Sequence, residues 1–334
     1  MTDAVFLTSE DVDGLATPAE YIDAVRAGYR QRGEGAPAKP RQALDREEPE
    51  GHLTSYLAIL PETGAMGGYM YTAGFADSDG WFLTPIFDPE TGAPIALVDG
   101  ASMNPFKTGA AGAVAVDELA REDASDVAII GSGAQARGQL HATAAVRELE
   151  RVRVFSPTAA NRAAFAESFD QQLDADVAAV DSSSTAVSGA DIVITATTAG
   201  DPVVSDADID PGTHVTAMGQ YTPGRHEIEV STVARSIYVP DLRERVMQDA
   251  GAFLAALDAG AIEEDHIHAE LGDIVAGTAP GRTDADDVTV FDSGGTGIET
   301  VAAAHLLVEK ARDAGLGTDL PIAPASTALT GRLE

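Results

Sequence analysis

The sequence predicts an α/β chain: a doubly wound parallel sheet of the Rossmann type, joined to an α+β domain that precedes it. Three observations carry this. From Ser125 onward, short apolar runs of strand length alternate with helical stretches. One of these runs ends directly in Gly131-Ser132-Gly133-Ala134-Gln135-Ala136. The segment before Thr108 instead shows consecutive strand patterns joined by a hairpin signal.

In chain order, Thr17-Pro18-Ala19-Glu20 reads as a capping box with Pro at the first helical position, opening a helix to Arg32. Leu53–Leu60 and Met66–Gly74 read as strands. Leu83–Phe87 and Pro94–Val98 flank the turn Asp88-Pro89-Glu90-Thr91-Gly92. Thr108–Leu119 is a helix rich in Ala and Gly, which suits close packing against another helix or a cofactor. Strands follow at Val127–Ile130, Val152–Phe155, Asp191–Ala196, Thr213–Met218, Ile237–Val239 and Thr289–Phe291. Helices separate most of them, at Ala134–Leu149, Ala159–Phe169, Ser184–Gly189 and Ala250–Ala259. A last helix, Thr300–Ala314, is expected to leave the sheet and return to the first domain. The domains expected are 1–118 with 303–334, and 119–302.

Composition limits the function classes. The 334 residues include no Cys, which excludes disulfides, thiolate zinc sites and a Cys nucleophile. No apolar run is long enough for a membrane helix, and the N-terminus has no signal-peptide pattern, so a soluble, cytoplasmic protein is expected. Acidic residues number 54 against 21 basic ones, a net charge of −33, in a chain that is 44% hydrophobic. The apolar content argues for a packed core rather than disorder, and the charge repels nucleic acid. Only Lys39, Lys107 and Lys310 are lysines; the other basic residues are arginines. Acid excess with scarce lysine resembles proteins of salt-in halophilic archaea, where about 3 Å of screening length at 1 M salt tolerates such charge.

The turn after Asp126-Val127-Ala128-Ile129-Ile130 carries the chemistry. Gly-x-Gly-x-x-Ala alone is weak, but strand, turn and helix in that order form a dinucleotide fingerprint. Gly131 permits the tight turn, Gly133 lets the backbone approach a pyrophosphate, and Ala136 lets helix and strand pack closely. The amides at the helix start, at Ala134 and Gln135, favour the phosphate charge. The tip of the next strand, Phe155-Ser156-Pro157-Thr158, lacks the carboxylate that would bind ribose hydroxyls. Ser156, Thr158 and Arg162 are candidates for a 2′-phosphate, so the expected cofactor is NADP or NAD, with NADP favoured.

These motifs converge with others in a fixed order. Asn104-Pro105-Phe106-Lys107-Thr108-Gly109-Ala110-Ala111 precedes the glycine turn, and Asp191–Thr198, Gly219–Glu227 and Thr289–Gly294 follow it. From about Pro37 to Gly317 the chain resembles the ornithine cyclodeaminase/μ-crystallin family. That family includes cyclodeaminases, archaeal alanine dehydrogenases, cyclic ketimine reductases and a hormone-binding crystallin. The resemblance implies a homodimer formed by the first domain, and adds Thr197, Met218, Gly219 and Ser293 to the cofactor contacts. It also implies that cations grip the substrate carboxylate. Arg41 matches one of them, and Lys107 stands where the family has Arg. A further family Lys is replaced within Tyr69-Met70-Tyr71.

Tyr221 departs from the family in a second way, standing where ornithine cyclodeaminase has an acid/base Asp. A phenol titrates too high for a general base at neutral pH, but it can donate a proton. The resemblance therefore implies reduction of a small imino or keto acid, or oxidation of the amino acid. Ornithine cyclodeamination and non-catalytic ligand binding are the alternatives, with an ectoine-degradation cyclodeaminase as a remoter one. Glu263–Glu270 reads as a solvated acidic face rather than a metal site. His141 and His305 read as packing residues; His226, beside the Tyr221 loop, is a weaker candidate.

Overall fold

The structure, a computed structural model, describes residues 4–75 and 80–330. Residues 1–3 and 331–334 of the expected first domain lie outside them. The chain forms two compact units, Met1–Asn104 with Thr296–Glu334, and Pro105–Gly295. The units thus part at 104/105 and 295/296, against the expected 118/119 and 302/303.

The first unit begins with β1 (Ala4–Leu7), α1 (Ser9–Val12) and α2 (Pro18–Gly33). There follow β2 (Gln42–Glu47), β3 (Glu50–Leu60), β4 (Ala65–Ala73), β5 (Trp81–Phe87) and β6 (Pro94–Asp99). Helix α2 starts where the sequence indicates. Thr17 Oγ1 accepts from Glu20 N at 3.3 Å, and the Glu20 carboxylate accepts from Thr17 N at 2.8 Å. Neighbouring strands from β2 to β6 pair antiparallel, with Tyr56 opposite Tyr69 and Ala58 opposite Gly67. Alternate residues therefore face opposite sides.

The second unit contains α3 (Asn104–Leu119), β7 (Asp126–Ile130), α4 (Ala134–Thr143), β8 (Arg151–Phe155), α5 (Ala159–Asp170), β9 (Asp176–Ala179) and α6 (Ser183–Val187). It continues with β10 (Ile192–Thr195), β11 (His214–Ala217), α7 (Val230–Arg235), β12 (Ile237–Pro240), α8 (Arg243–Asp249), α9 (Gly251–Asp258), α10 (Leu271–Val275) and β13 (Thr289–Asp292). Its sheet runs β12-β13-β11-β10-β7-β8-β9, and every pair is parallel. Strand order reverses between β7 and β10. In such sheets ligands bind beyond the carboxyl ends of the strands at that point. Helix α4 is shorter than expected because the chain turns after Thr143, and Arg147 anchors the turn on Asp117 Oδ1 at 2.7 Å.

The chain then re-enters the first unit as α11 (Gly297–Ala314), β14 (Thr318–Leu320) and α12 (Ala325–Thr330). A capping box of Thr296 with Glu299 starts α11 three residues before the expected Thr300. Helices α2 and α11 pack together, and α11 lies on β3, β4 and β5. Gly28 allows that packing: a Cβ there would meet Ile298 at 3.2 Å and Ala302 at 3.3 Å. On the opposite face of the sheet, Leu44, Leu57, Met70 and Trp81 are exposed among the described residues.

Candidate functional site

The glycine turn is built as its sequence requires. Strand β7 is buried over its last four residues, and Gly131 leaves it at φ +123. A Cβ on Gly131 would strike the carbonyl of Ala196, while Gly131 N donates to Phe155 O at 2.8 Å. Only glycine fits there. Gly133 N-caps α4, and neither a side-chain cap bond nor any neighbour within 4 Å of its missing Cβ closes that spot. Gly133 and Ala134 are exposed, and Ala136 is fully buried against the sheet. Gln135 Oε1 is buried with no hydrogen-bond partner among the described residues. An open glycine cap with uncommitted amides fits a pyrophosphate.

The tip of β8 closes one side of this cradle. Ser132 Oγ donates to Ser156 Oγ at 2.9 Å, so the buried Ser156 hydroxyl is shared between the two loops. Thr158 N-caps α5 without a side-chain cap bond and stays exposed. Arg162 Nη1 donates to the carbonyls of Ser156 and Pro157 at 3.0 and 3.4 Å, and Nη2 pairs with Asp181 at 2.6 Å. Its charge thus lies under the loop but is partly balanced by an exposed carboxylate.

Lys107 is placed by the same helix pair. Helices α3 and α4 cross where Gly109 meets Gly138 so closely that a Cβ on either would strike backbone. Gln139 Nε2 donates to Thr108 O at 2.9 Å across the crossing. The Ala/Gly-rich helix therefore packs on α4 and carries Lys107 with it, 1% exposed, its Nζ 3.5 Å from Thr108 Oγ1. This is why α3 belongs to the second unit.

The loops after β10 and β11 meet on Glu227. Its carboxylate accepts from Thr195 Oγ1 at 2.9 Å, Thr197 N at 2.7 Å and Gly219 N at 2.7 Å. Burial pushes its carboxyl up, and those hydrogen bonds pull against that rise. Met218 is buried and ends the strand, with its N on Thr195 O at 3.1 Å. Tyr221, two residues past Gly219, is 43% exposed, so its ring is not a core residue.

At the end of β13, Ser293 is buried and its N donates to Ala217 O at 2.9 Å. The following loop rests on an ionic cluster. Arg245 is fully buried and bonds Asp241 at 2.8 Å, Asp249 at 2.7 Å and both the side chain and carbonyl of Asp292. Asp241 in turn accepts from Gly294 N and Gly295 N at 2.8 and 2.9 Å, and Tyr238 donates to Asp292 at 2.6 Å. The expected cofactor residues thus all lie in loops or first helical turns beyond the carboxyl ends of β7, β8, β10, β11 and β13.

In the first unit Arg41 is 8% exposed and lies over the Tyr56 ring at 5.8 Å. Tyr56, Tyr69 and Tyr71 form an edge-on cluster, and Tyr71 stacks on Phe82 at 5.1 Å. Where the family Lys was missed, buried aromatic rings stand instead. Burial raises the Tyr56 and Tyr69 phenols well above their ordinary range.

The comparisons agree with this geometry. A family model described as the ornithine cyclodeaminase/mu-crystallin family matches residues 2–315. The chain belongs to the ornithine cyclodeaminase/mu-crystallin family. A Delta(1)-pyrroline-2-carboxylate reductase of Bacillus cereus is 34% identical over 70% of this chain and 72% of its own. A solved Delta(1)-pyrroline-2-carboxylate reductase of Thermococcus litoralis, in complex with NADH and L-proline, is 33% identical. It covers 95% of this chain and 100% of its own, with a TM-score of 0.89. An archaeal alanine dehydrogenase dimer with bound NAD superposes at 0.88, with 28% identity over 96% of this chain and 99% of its own.

In this member of the ornithine cyclodeaminase/mu-crystallin family, Glu227 and Arg245 carry no mark of their own in the sequence that sets them apart. Both were hidden in an acidic chain, where one more carboxylate or arginine carries no signal. The signal for Glu227 was its place within Gly219–Glu227. Several of the histidines set aside, and Glu270, have structural partners. His141 packs on Phe169 with ring centroids 4.6 Å apart, and burial lowers both His141 and His305. His226 Nδ1 lies 2.8 Å from Ile228 O. His266 and His268 each meet a backbone carbonyl at 2.8 Å, and Glu270 accepts from Arg243 N. Among the described residues no group of three His, Cys, Asp or Glu is placed to hold a metal.

Proposed function

We propose that the chain is an NAD(P)H-dependent oxidoreductase acting on a small amino acid, its imine or its 2-keto acid. The observation that carries this is the open glycine cradle at the strand-order reversal, with every expected cofactor residue beyond the same edge of the sheet. The relatives that bind NADH with L-proline, or NAD, support the reading.

Gly131, Gly133, Ala134 and Gln135 would hold the pyrophosphate, with Ser156 and Thr158 on the adenosine side. Thr197, Met218, Gly219 and Ser293 would border the nicotinamide side. When bound, the nicotinamide supplies or accepts a hydride. The family resemblance assigns Arg41 and Lys107 to the substrate carboxylate; both are buried, and a cation can make charge-assisted hydrogen bonds to a carboxylate. Tyr221 or a bound water would donate the proton that accompanies reduction, so that an imine carbon gains hydride while its nitrogen gains a proton. NADP is the favoured form, because Ser156-Pro157-Thr158 carries no acid and Arg162 lies beneath it. The setting is the cytoplasm of a salt-in halophile, and the assembly is a homodimer.

The test is absorbance of NAD(P)H in molar KCl, offering Delta(1)-pyrroline-2-carboxylate, pyruvate with ammonia, and ornithine. Oxidation with an imine or with the keto acid plus ammonia supports the reading. Proline and ammonia formed from ornithine with catalytic NAD would overturn it in favour of cyclodeamination. Cofactor binding without turnover of any of these would overturn it in favour of ligand binding.

A further inference from the structure

We infer that Glu227 is a positioning residue that shapes the nicotinamide half of the dinucleotide site by tying the loops after β10 and β11 together. The inference rests on the cofactor reading above and adds a residue to it.

The parallel ladder between β10 and β11 ends with Thr195 opposite Ala217. One more backbone bond follows, from Met218 N to Thr195 O at 3.1 Å, and past it the two loops must hold their spacing by other means. The Glu227 carboxylate supplies the missing link. One oxygen accepts from Thr197 N; the other accepts from Thr195 Oγ1 and Gly219 N. Both loops are thereby held on one rigid group. Gly219 is glycine for this reason, since a Cβ there would strike Glu227 Oε1 and the backbone of Thr197. Two further bonds lock the arrangement: Gln220 Nε2 on Thr197 O at 3.0 Å, and Val203 N on Glu227 O at 2.8 Å.

The chemistry of the link is selective. Glu227 is 3% exposed, and those three partners are all neutral donors. A buried carboxylate held this way is costly, so its charge is retained for what it orders. Replacing it by the isosteric amide puts an NH2 against a backbone N–H whichever way the amide is turned. The first mononucleotide half of the sheet, with the Gly131–Ala136 turn and Ser156, makes none of these bonds. In a two-half dinucleotide fold, that half takes the adenosine side and the half containing β10 and β11 takes the other.

Glu227→Gln should therefore separate two ligands that share an adenosine diphosphate. NADH and ADP-ribose, which lacks nicotinamide, would each be titrated by calorimetry in molar KCl, with circular dichroism to follow folding. Loss of the charge-assisted bonds is expected to weaken NADH by about tenfold or more, with ADP-ribose changed by less than about twofold. If that variant does not fold, Thr195→Val keeps the carboxylate and both amides. It is expected to weaken NADH by roughly two- to fivefold and to leave ADP-ribose alone. Equal loss of both ligands, or of neither, in the folded variant overturns the inference. If the unaltered protein binds neither ligand, the cofactor reading itself fails and the inference falls with it.

Discussion

Lys107 joins two independent signals in one side chain. The chain nearly always uses Arg for a cation, and at this position it uses Lys and buries it to 1% exposure. Exchange of Lys107 for Ala is expected to raise the KM for substrate by about ten- to a hundredfold, the worth of a charge-assisted bond, with little change in the KM for NAD(P)H. Equal rises in both constants would remove it from the carboxylate. Arg162 tests the cofactor preference in the same way. Its guanidinium is divided between loop carbonyls and Asp181, so Arg162→Ala should raise the KM for NADPH by about tenfold and leave that for NADH within about twofold. An unchanged ratio of the two would place the 2′-phosphate elsewhere or show that the chain uses NAD. Lys107 stands out in the sequence because it breaks the chain's preference for Arg. Glu227 breaks no such pattern, and only the folded loops show why the chain needs a carboxylate there.

Elements with strong periodicity or caps were legible: α2, α3, α11 and the buried strands β7, β10, β11 and β13. The polar strands β2 and β9 were not, because they lack the apolar run that marks a strand and form by pairing with neighbours already in place. Equally hidden was what ties β11 to β13. His214 is fully buried in β11, its ring nitrogens 2.9 and 3.0 Å from the hydroxyls of Thr289 and Thr216. Burial, with lesser help from Arg282 and Arg147, lowers it from 6.5 to about 3. The unfolded chain therefore binds this proton first as pH falls. The neutral ring's contribution is whole above pH 6.5 and is lost from there towards pH 3, by up to about 1.4 kcal/mol per pH unit. Thermal unfolding of His214→Gln against the unaltered protein should show the gap between them narrowing or reversing over that window. A constant gap would mean that His214 does not carry the effect. Arg245 on α8 is the stronger constraint. Replacing it with Met strands three buried carboxylates, at a cost of about 3–5 kcal/mol, and should give a large fall in Tm or no soluble protein. A Tm within a degree or two of the original would show that the aspartates rearrange freely.

On the scale of the whole molecule, two features act against each other. A net charge of −33 repels a second copy, while the open face of the first unit's sheet invites one. On that face Leu44 pairs beside Leu53, and Met70 lies between Ser55 and Leu83. Leu44, Leu57, Met70 and Trp81 are 74, 54, 51 and 72% exposed, in a sheet whose other face is already covered by α2 and α11. The homodimer proposed above would place a second copy on this face, and salt would decide whether it forms. At about 1 M salt the screening length falls to about 3 Å, so repulsion between copies fades and burial of the apolar face prevails. At low salt the same charge opposes both association and compactness. Light scattering should therefore give twice the chain mass of 34.4 kDa in molar KCl, and the single-chain mass or unfolded protein on dilution. The emission of Trp81, the only tryptophan, should shift to the blue as the dimer forms. Met70→Glu places a charge in the middle of the face and should hold the protein at the single-chain mass in molar KCl with its circular dichroism unchanged. A dimer that survives this substitution, or a single-chain mass for the unaltered protein in molar KCl, would rule out this face as the interface.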